Sequence, residues 1–452
     1  MKNKIIIILT VLIGTTFIFA CGKSNKIKIN SVADLKSITT NYETTTTYVL
    51  TKDLNLKDVE WEPLKDFYGT FDGQNHKITG LKISNSASGL FTSVHGTIKN
   101  LSVEGEISAS YSGMITGRLD EGGLLKNCKS LGIIKGNDLK YVGGLVGTLV
   151  NGEIIGCKNY ANITGTTKIG GIVGDTWSKY TDVTIKNCEN YGEINGTNYV
   201  GGIVGNVLAD ASLSADDQKT YGDKYTYITK CLNAGKVSAT NNFVGGIVGC
   251  AAGTESTKII NNESFIANGY VSLTDLTNNG EVNGSDSVGG IIGHETKWVS
   301  EFKNCTNNAN ITGNNYIGGI VGRNRSRQIN SVTNNGKITG LNYIGGIAGE
   351  TSSIVNSKNY GSVSGNRYIG GVAGSVFGET DSSNLENHGT VTSKGSYTGG
   401  IIGYGSNSNA SLKNSNNYGV ISSTSTSYID GIMGYRKNIN IENCFDYSNK
   451  NN

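Results

Sequence analysis

Short alternating stretches of apolar and polar residues recur along the chain from about residue 86 to 445. One unit shows three of them: Thr184-Ile-Lys-Asn-Cys188, Gly192-Glu-Ile-Asn-Gly196 and Tyr199-Val-Gly-Gly-Ile-Val204. Alternation of this kind, bounded by Gly and Asn, predicts strands. Helix is opposed by the repeated Gly and β-branched residues.

The strands belong to an internal repeat. Its signature is Tyr141-Val-Gly-Gly-Leu-Val-Gly147, with further copies at 168–174, 199–205, 243–249, 287–293, 316–322, 343–349, 368–374 and 397–403. A tenth copy, Tyr428-Ile-Asp-Gly-Ile-Met-Gly434, has Asp430 in place of one Gly, and degenerate copies stand at 88–91 and 111–117. Each is preceded by a phrase such as Asn187-Cys188-Glu-Asn-Tyr-Gly-Glu-Ile-Asn-Gly196. From the Cys position to the glycine pair the step is always 13–15 residues, whereas from the last Gly to the next Cys position it ranges from 8 to 27. A segment of fixed length must stack on its neighbours; one of variable length can bulge into solvent.

Three strands per unit with glycine corners predict an all-β fold, a parallel β-helix (β-solenoid). It would have about 11 coils, most of 25–31 residues, with longer insertions at 206–230 and 250–275. Gly at the corners supplies positive φ or close backbone approach. Residues 27–85 lack the signature and are read as an N-terminal cap, with Ser31 as the N-cap of a short helix. The repeats then occupy 86–445, and residues 446–452 form a polar tail.

Composition narrows the function. Gly is 64 of 452 residues and Pro63 is the single proline, which excludes collagen and Pro-rich linkers. Lys and Arg number 39 against 36 Asp and Glu, so no electrostatic footprint for nucleic acid exists. Residues 1–20 carry Lys2 and Lys4, then an apolar stretch ending at Ala20: a secretory leader. Its end, Ile18-Phe19-Ala20-Cys21, resembles a bacterial lipobox. The resemblance implies that Cys21 is lipidated, that 21–26 is a polar tether, and that the chain is anchored to the bacterial cell envelope through its lipid, facing the exterior.

The Gly-Gly-Ile-Val-Gly phrases, with Phe67-Tyr-Gly-Thr-Phe-Asp-Gly-Gln-Asn-His-Lys-Ile78 ahead of them, resemble the GLUG motif. The motif occurs in bacterial surface proteins, including adhesins and the non-catalytic part of immunoglobulin A peptidases. It implies a surface scaffold and carries no chemistry of its own. The peptidases' His-Glu-x-x-His zinc site is not matched: His294-Glu295-Thr-Lys-Trp298 has Trp298 in place of the second ligand. No enzyme, cofactor or metal is therefore expected. Asp216, Asp217 and Asp223 lack the ordered spacing of a Ca²⁺ loop.

Six of the cysteines share one rung position with Leu, Val and Ser, which predicts buried free thiols; Cys250 opens an insertion and is expected to be exposed. Tyr or Phe usually stands two residues before the glycine pair, which predicts a stabilising ring ladder. Abundant Asn predicts ladders at turns. The variable segments should all leave from one corner and line one edge. They carry Trp177, Tyr180, Trp298, Arg323, Arg325 and Arg327, residue types enriched at binding hot spots. These six are the candidate ligand contacts. The reading is a lipid-anchored surface adhesin or binding protein that presents this edge to a glycan or protein of a host or neighbouring cell. The alternatives are a spacer without a ligand and, further off, a carbohydrate-active β-helix enzyme.

The leader yields the first prediction. Palmitate labelling of the chain in a bacterial host should disappear in Cys21→Ser, and persistent labelling would refute the anchor.

Overall fold

The computed structural model describes residues 25–38, 44–84, 88–179, 181–210, 223–260, 263–325, 328–406 and 410–448. Its strands form three sheets of 37, 10 and 12 strands. Apart from the strand Glu255–Ile260, the strands pair in parallel with their equivalents in the neighbouring coils. Val183–Lys186 thus sets Ile185 against Ile228, Asn198–Gly201 sets Val200 against Val244, and Val204–Ala209 sets Val204 against Val248. The chain is a parallel β-solenoid, and the 12-stranded sheet, running from Phe91–Val94 to Met433–Lys437, counts its coils. Among the described residues the one helix is Val32–Lys36, and the Ser31 side chain accepts a hydrogen bond from the Asp34 N–H.

Two features differ from the sequence expectation. First, the stretch Tyr199–Val204 is not one strand. Asn198–Gly201 lies in the 10-stranded sheet and Val204–Ala209 in the 12-stranded sheet, with the corner at Gly202-Ile203. An alternating pattern cannot reveal such a corner, because Ile203 and Val204 are both wholly buried on either side of the bend. Second, positive φ falls on the residue two before the pair, such as Tyr199 (φ 55°) or Phe243 (φ 63°), and on the Asn before the Cys, such as Asn187 (φ 54°). A bulky L-residue in this region costs roughly 1–2 kcal/mol. The glycine pair is required instead for close approach. A Cβ on Gly246 would stand 2.1 Å from the Gly290 carbonyl oxygen and 2.4 Å from Asn278 Cγ.

That asparagine belongs to a buried ladder. Asn159, Asn190, Asn233, Asn278, Asn307, Asn334, Asn359, Asn387 and Asn417 occupy one column and are fully buried. Each Nδ2 donates to the Oδ1 of the next at 2.7–2.9 Å. The same Nδ2 donates to the carbonyl two residues ahead, as Asn278 does to Gly280 at 2.9 Å. The predicted turn ladders thus include one inside the coil. A second, exposed ladder runs through Asn279, Asn308 and Asn335 at 2.7–2.8 Å.

The core is otherwise stacked aliphatic columns, with the cysteine column among them. Cys128, Cys157, Cys188, Cys231 and Cys305 are buried free thiols, whereas the sixth at this rung position, Cys444 in the last coil, is only half-buried. Burial pushes Cys157 and Cys188 well above the usual thiol range. Cys250 is also buried, contrary to expectation, because the strand Val248–Gly253 runs past it before the insertion begins. Its thiol is pushed up to about 12 by burial.

Both ends of the repeat array are distinct. Strands Lys26–Ile29, Thr47–Leu50 and Thr70–Asp72 join the 37-stranded sheet in register, around an aromatic cluster of Tyr48, Phe67, Phe71 and Phe91. At the last coil two aspartates stop the hydrogen-bond ladders. In the coil before, Ile401 and Ile402 N–H groups donate to the next coil's Ile432 carbonyl at 3.0 Å. Ile432 and Met433 donate instead to Asp430 Oδ1, at 2.7 and 3.1 Å. Asn417 donates to Asp446 at 2.9 Å, and an ionised carboxylate has no N–H to pass on.

The two ladders provide an internal comparison. Asn307→Ala strands Asn278 Nδ2 and Asn334 Oδ1 in the core, and each buried unsatisfied group costs about 1–3 kcal/mol. Urea unfolding should show a loss of roughly 2–5 kcal/mol. Asn308→Ala, on the exposed ladder, should stay within about 0.5 kcal/mol of wild type.

Candidate functional site

The site lies on the outer face of the 12-stranded sheet and the corner that follows it. The variable segments leave this sheet for the next strand of the 37-stranded sheet, as from Val173–Ser178 to Val183–Lys186 and from Val321–Asn324 to Ile329–Asn330. They do line one edge. The second insertion folds as an antiparallel hairpin, Glu255–Ile260 against Glu263–Thr274.

The sheet itself holds a feature the sequence reading missed. The residue after the third glycine of every unit falls in one outward column. In chain order it reads Arg118, Thr148, Asp175, Asn206, Cys250, His294, Arg323, Glu350, Ser375, Tyr404 and Tyr435, each in register with the next. Everything before this position repeats; this position changes from coil to coil. The signal was legible as the first variable residue after Gly-x-x-Gly. The strand runs on past that glycine, as Val173–Ser178 and Val204–Ala209 do, so the residue is a strand position and not the start of a loop.

Several column residues are already paired. Asp175 receives Lys168 Nζ at 3.1 Å and Asn206 Nδ2 at 2.7 Å. Burial raises its carboxyl above the ordinary range despite both partners. Arg323 Nε donates to Glu350 at 2.5 Å, and its guanidinium lies 4.5 Å from the Tyr316 ring centroid.

The ring ladder borders the column. Tyr316, Tyr343, Tyr368, Tyr397 and Tyr428 stack in sequence at 4.4–4.9 Å, as do Tyr111 and Tyr141 at 4.4 Å. Stacking consumes ring faces between coils, leaving edges and hydroxyls to face outward, which supports the stabilising role over sugar stacking on this ladder. Where Ser287 supplies no ring, His294 crosses from the column and stacks on Phe243 at 4.8 Å.

The candidate contacts are distributed along the edge rather than gathered. Trp177 is a strand residue in register with Leu208, its indole N–H bonded to Asp210 at 2.7 Å. Trp298 lies three coils further on, roughly 14 Å away along the axis, with its edge against Tyr270 at 5.9 Å. Arg325, half exposed, stands 4.0 Å from Glu350. Tyr180, Arg327 and Cys21, the expected lipid attachment site, lie outside the described residues, as do Asp216 and Asp217. Asp223 accepts from Asn268. No cluster able to hold a metal is present among the described residues.

One groove opens on this face, of about 630 Å³, between the Tyr111–Tyr141 stack and Trp177, with Thr148 and Val150 among the residues lining it. Two other clefts contain no column residue: one of about 920 Å³ at the N-terminal cap, and one of about 670 Å³ where the cap meets the first coils at Glu104–Glu106 and Ile133.

The class of protein this geometry defines is a parallel β-solenoid with one variable outer face. Comparison adds little. No family model and no curated protein matches, so the GLUG resemblance gains no support there. A solved structure, a "putative immunoglobulin A1 protease" from Bacteroides ovatus, is 16% identical over 57% of this chain and 76% of that one, with a TM-score of 0.40. A likeness of that size assigns neither fold nor activity; the fold stands on the strand register.

His294 gives a pH prediction. Burial, with Arg323 and Arg325 nearby, lowers its imidazole to about 4. The unfolded chain, with a value near 6.5, then binds more protons than the folded chain between the two. The stabilisation is complete above about pH 6.5 and is lost as pH falls through about 4. The size is at most roughly 3 kcal/mol, since one pKa unit is about 1.4 kcal/mol. Urea midpoints measured from pH 7 to 4 should fall less steeply in His294→Phe, which keeps the stack.

Proposed function

We propose that the chain is a lipid-anchored surface protein of the bacterial envelope, held by Cys21 and facing outward. Its variable face and the adjoining edge bind a glycan or a protein, and it is not an enzyme. The observation that supports this most is the column from Arg118 to Tyr435. On a scaffold where glycines, asparagines and rings repeat for packing reasons, one column on the outer face, with Asn206, Cys250 and Ser375 buried and the other members partly accessible, does not repeat and differs in charge, size and hydrogen-bonding capacity at nearly every coil. Diversity at fixed spacing is what recognition of an extended ligand uses. The resemblance of the repeats to GLUG surface proteins agrees with this reading.

One observation favours the spacer instead: the charges on the column are already satisfied internally, as in Lys168–Asp175 and Arg323–Glu350. The two readings separate by experiment. The mature chain carrying Cys21→Ser is titrated against a panel of glycans and extracellular-matrix proteins at physiological salt. A binding protein should score a hit that weakens about tenfold or more when Trp177, Trp298 and Arg325 are replaced by Ala together, a loss of roughly 1.4 kcal/mol. A blank across the panel, or a hit indifferent to that change, favours the spacer.

A further inference from the structure

We propose that the groove between Tyr141 and Trp177 is a binding site for an uncharged oligosaccharide, lying along the solenoid axis. The inference rests on the reading of this chain as a binding protein and narrows it to one place and one ligand class.

The walls differ chemically. On one side the Tyr111–Tyr141 stack presents ring edges and phenol hydroxyls, and Tyr111 is 48% exposed. On the other stands Trp177, still 36% exposed although its indole N–H is bonded to Asp210. That bond sets the ring's orientation before any ligand arrives, so little ordering cost remains for binding. Lys179 Nζ sits 5.6 Å from the ring centroid and adds a donor beside it. The Thr148 hydroxyl, also lining the groove, has no hydrogen-bond partner among the described residues. An indole with fixed hydroxyl donors and acceptors around it matches a sugar ring, which has an apolar C–H face and a rim of hydroxyls.

Charge argues against an acidic polymer. The cations lining the groove are Arg118 and Lys168, with Lys179 beside the Trp177 ring. Arg118 Nε is 2.7 Å from Asp120, and Lys168 Nζ is 3.1 Å from Asp175. Asp66 adds a further negative group. A polyanion would have to break both ion pairs, whereas hydroxyls can share them.

Length sets the number of rings. The lining residues run from Thr92 through Arg118, Thr148 and Asp175 to Leu208, on five successive strands of the sheet. Four inter-strand spacings of about 4.8 Å give roughly 19 Å, the span of a short chain of sugars rather than one ring. The volume of about 630 Å³ falls within the usual range for ligand sites.

The test is a titration of the mature Cys21→Ser chain with neutral gluco-, manno- and xylo-oligosaccharides and with acidic galacturonate and heparin oligomers, followed by calorimetry. The expected result is binding of a neutral series that strengthens with chain length. Trp177→Ala and Thr148→Arg should each weaken it at least about tenfold. Tyr141→Phe keeps the stack and removes only a hydroxyl, so it guards against unfolding; it should weaken binding several-fold. Tyr360→Ala, beside the 37-stranded sheet and outside both column and groove, should leave it unchanged. Neutral-sugar binding indifferent to Trp177→Ala, Thr148→Arg and Tyr141→Phe overturns the groove assignment and leaves the chain a glycan binder. Preference for the acidic oligomers overturns the ligand class. Binding of a matrix protein alone overturns the saccharide proposal while sparing the broader reading, and binding of nothing overturns both.

Discussion

The structure depends on an asparagine that must hand one hydrogen bond to the next coil and another back to its own. The amide is the side chain for this task, since it carries both an acceptor and two donors. At 0% exposure each member of the ladder would be costly without its neighbours. With them it fixes register: a coil that slipped by one residue would lose every such bond at once. The glycine pair follows from this. The ladder comes so close to the opposite corner that a Cβ at Gly202 would stand 2.4 Å from Asn233 Cγ. The most visible motif in the sequence is thus the space left for the least visible one.

A second constraint acts at the neighbouring corner. The chain turns there through a residue with positive φ, at a bulky Tyr or Phe in most coils. Stacked rings offset that backbone cost, as in Tyr343–Tyr368 at 4.4 Å. Burial beside adjacent rings pushes the Tyr343 phenol up to about 12. Where the ring is missing, at Ser287, a residue from the outer column fills the place, and His294 thereby becomes a buried imidazole with Nδ1 unpartnered.

These internal demands explain where variation is tolerated. Columns that carry the ladder, the aliphatic core or the rings answer to the coils above and below. The outer column of the 12-stranded sheet makes contacts between coils too, as in Asp175–Asn206 and Arg323–Glu350, but no one contact repeats along it. It is interrupted by ion pairs, by an aromatic corner at Tyr404 and Tyr435, and by the groove beside Trp177. The capping aspartates at 430 and 446 belong to the same logic. They replace the repeating residue only in the last coil, where no neighbour remains to bond.

By itself the sequence determined the all-β solenoid, the fixed and variable halves of each unit, the buried cysteine column and the ring ladder. Each of these is a periodic demand, and periodicity survives in one dimension. The corner between Gly202 and Ile203, the transfer of positive φ from glycine to tyrosine, the burial of Cys250 and the outward column were decided by tertiary structure. Residues on either side of a bend can share the same hydrophobic character while facing different sheets. Only stacking shows that Thr148, Trp177 and Tyr141 border one groove: Trp177 follows Thr148 by 29 residues in the chain but lies one coil away in space. The contacts that build the groove run between coils, perpendicular to the chain, and a repeat read along its length does not contain them.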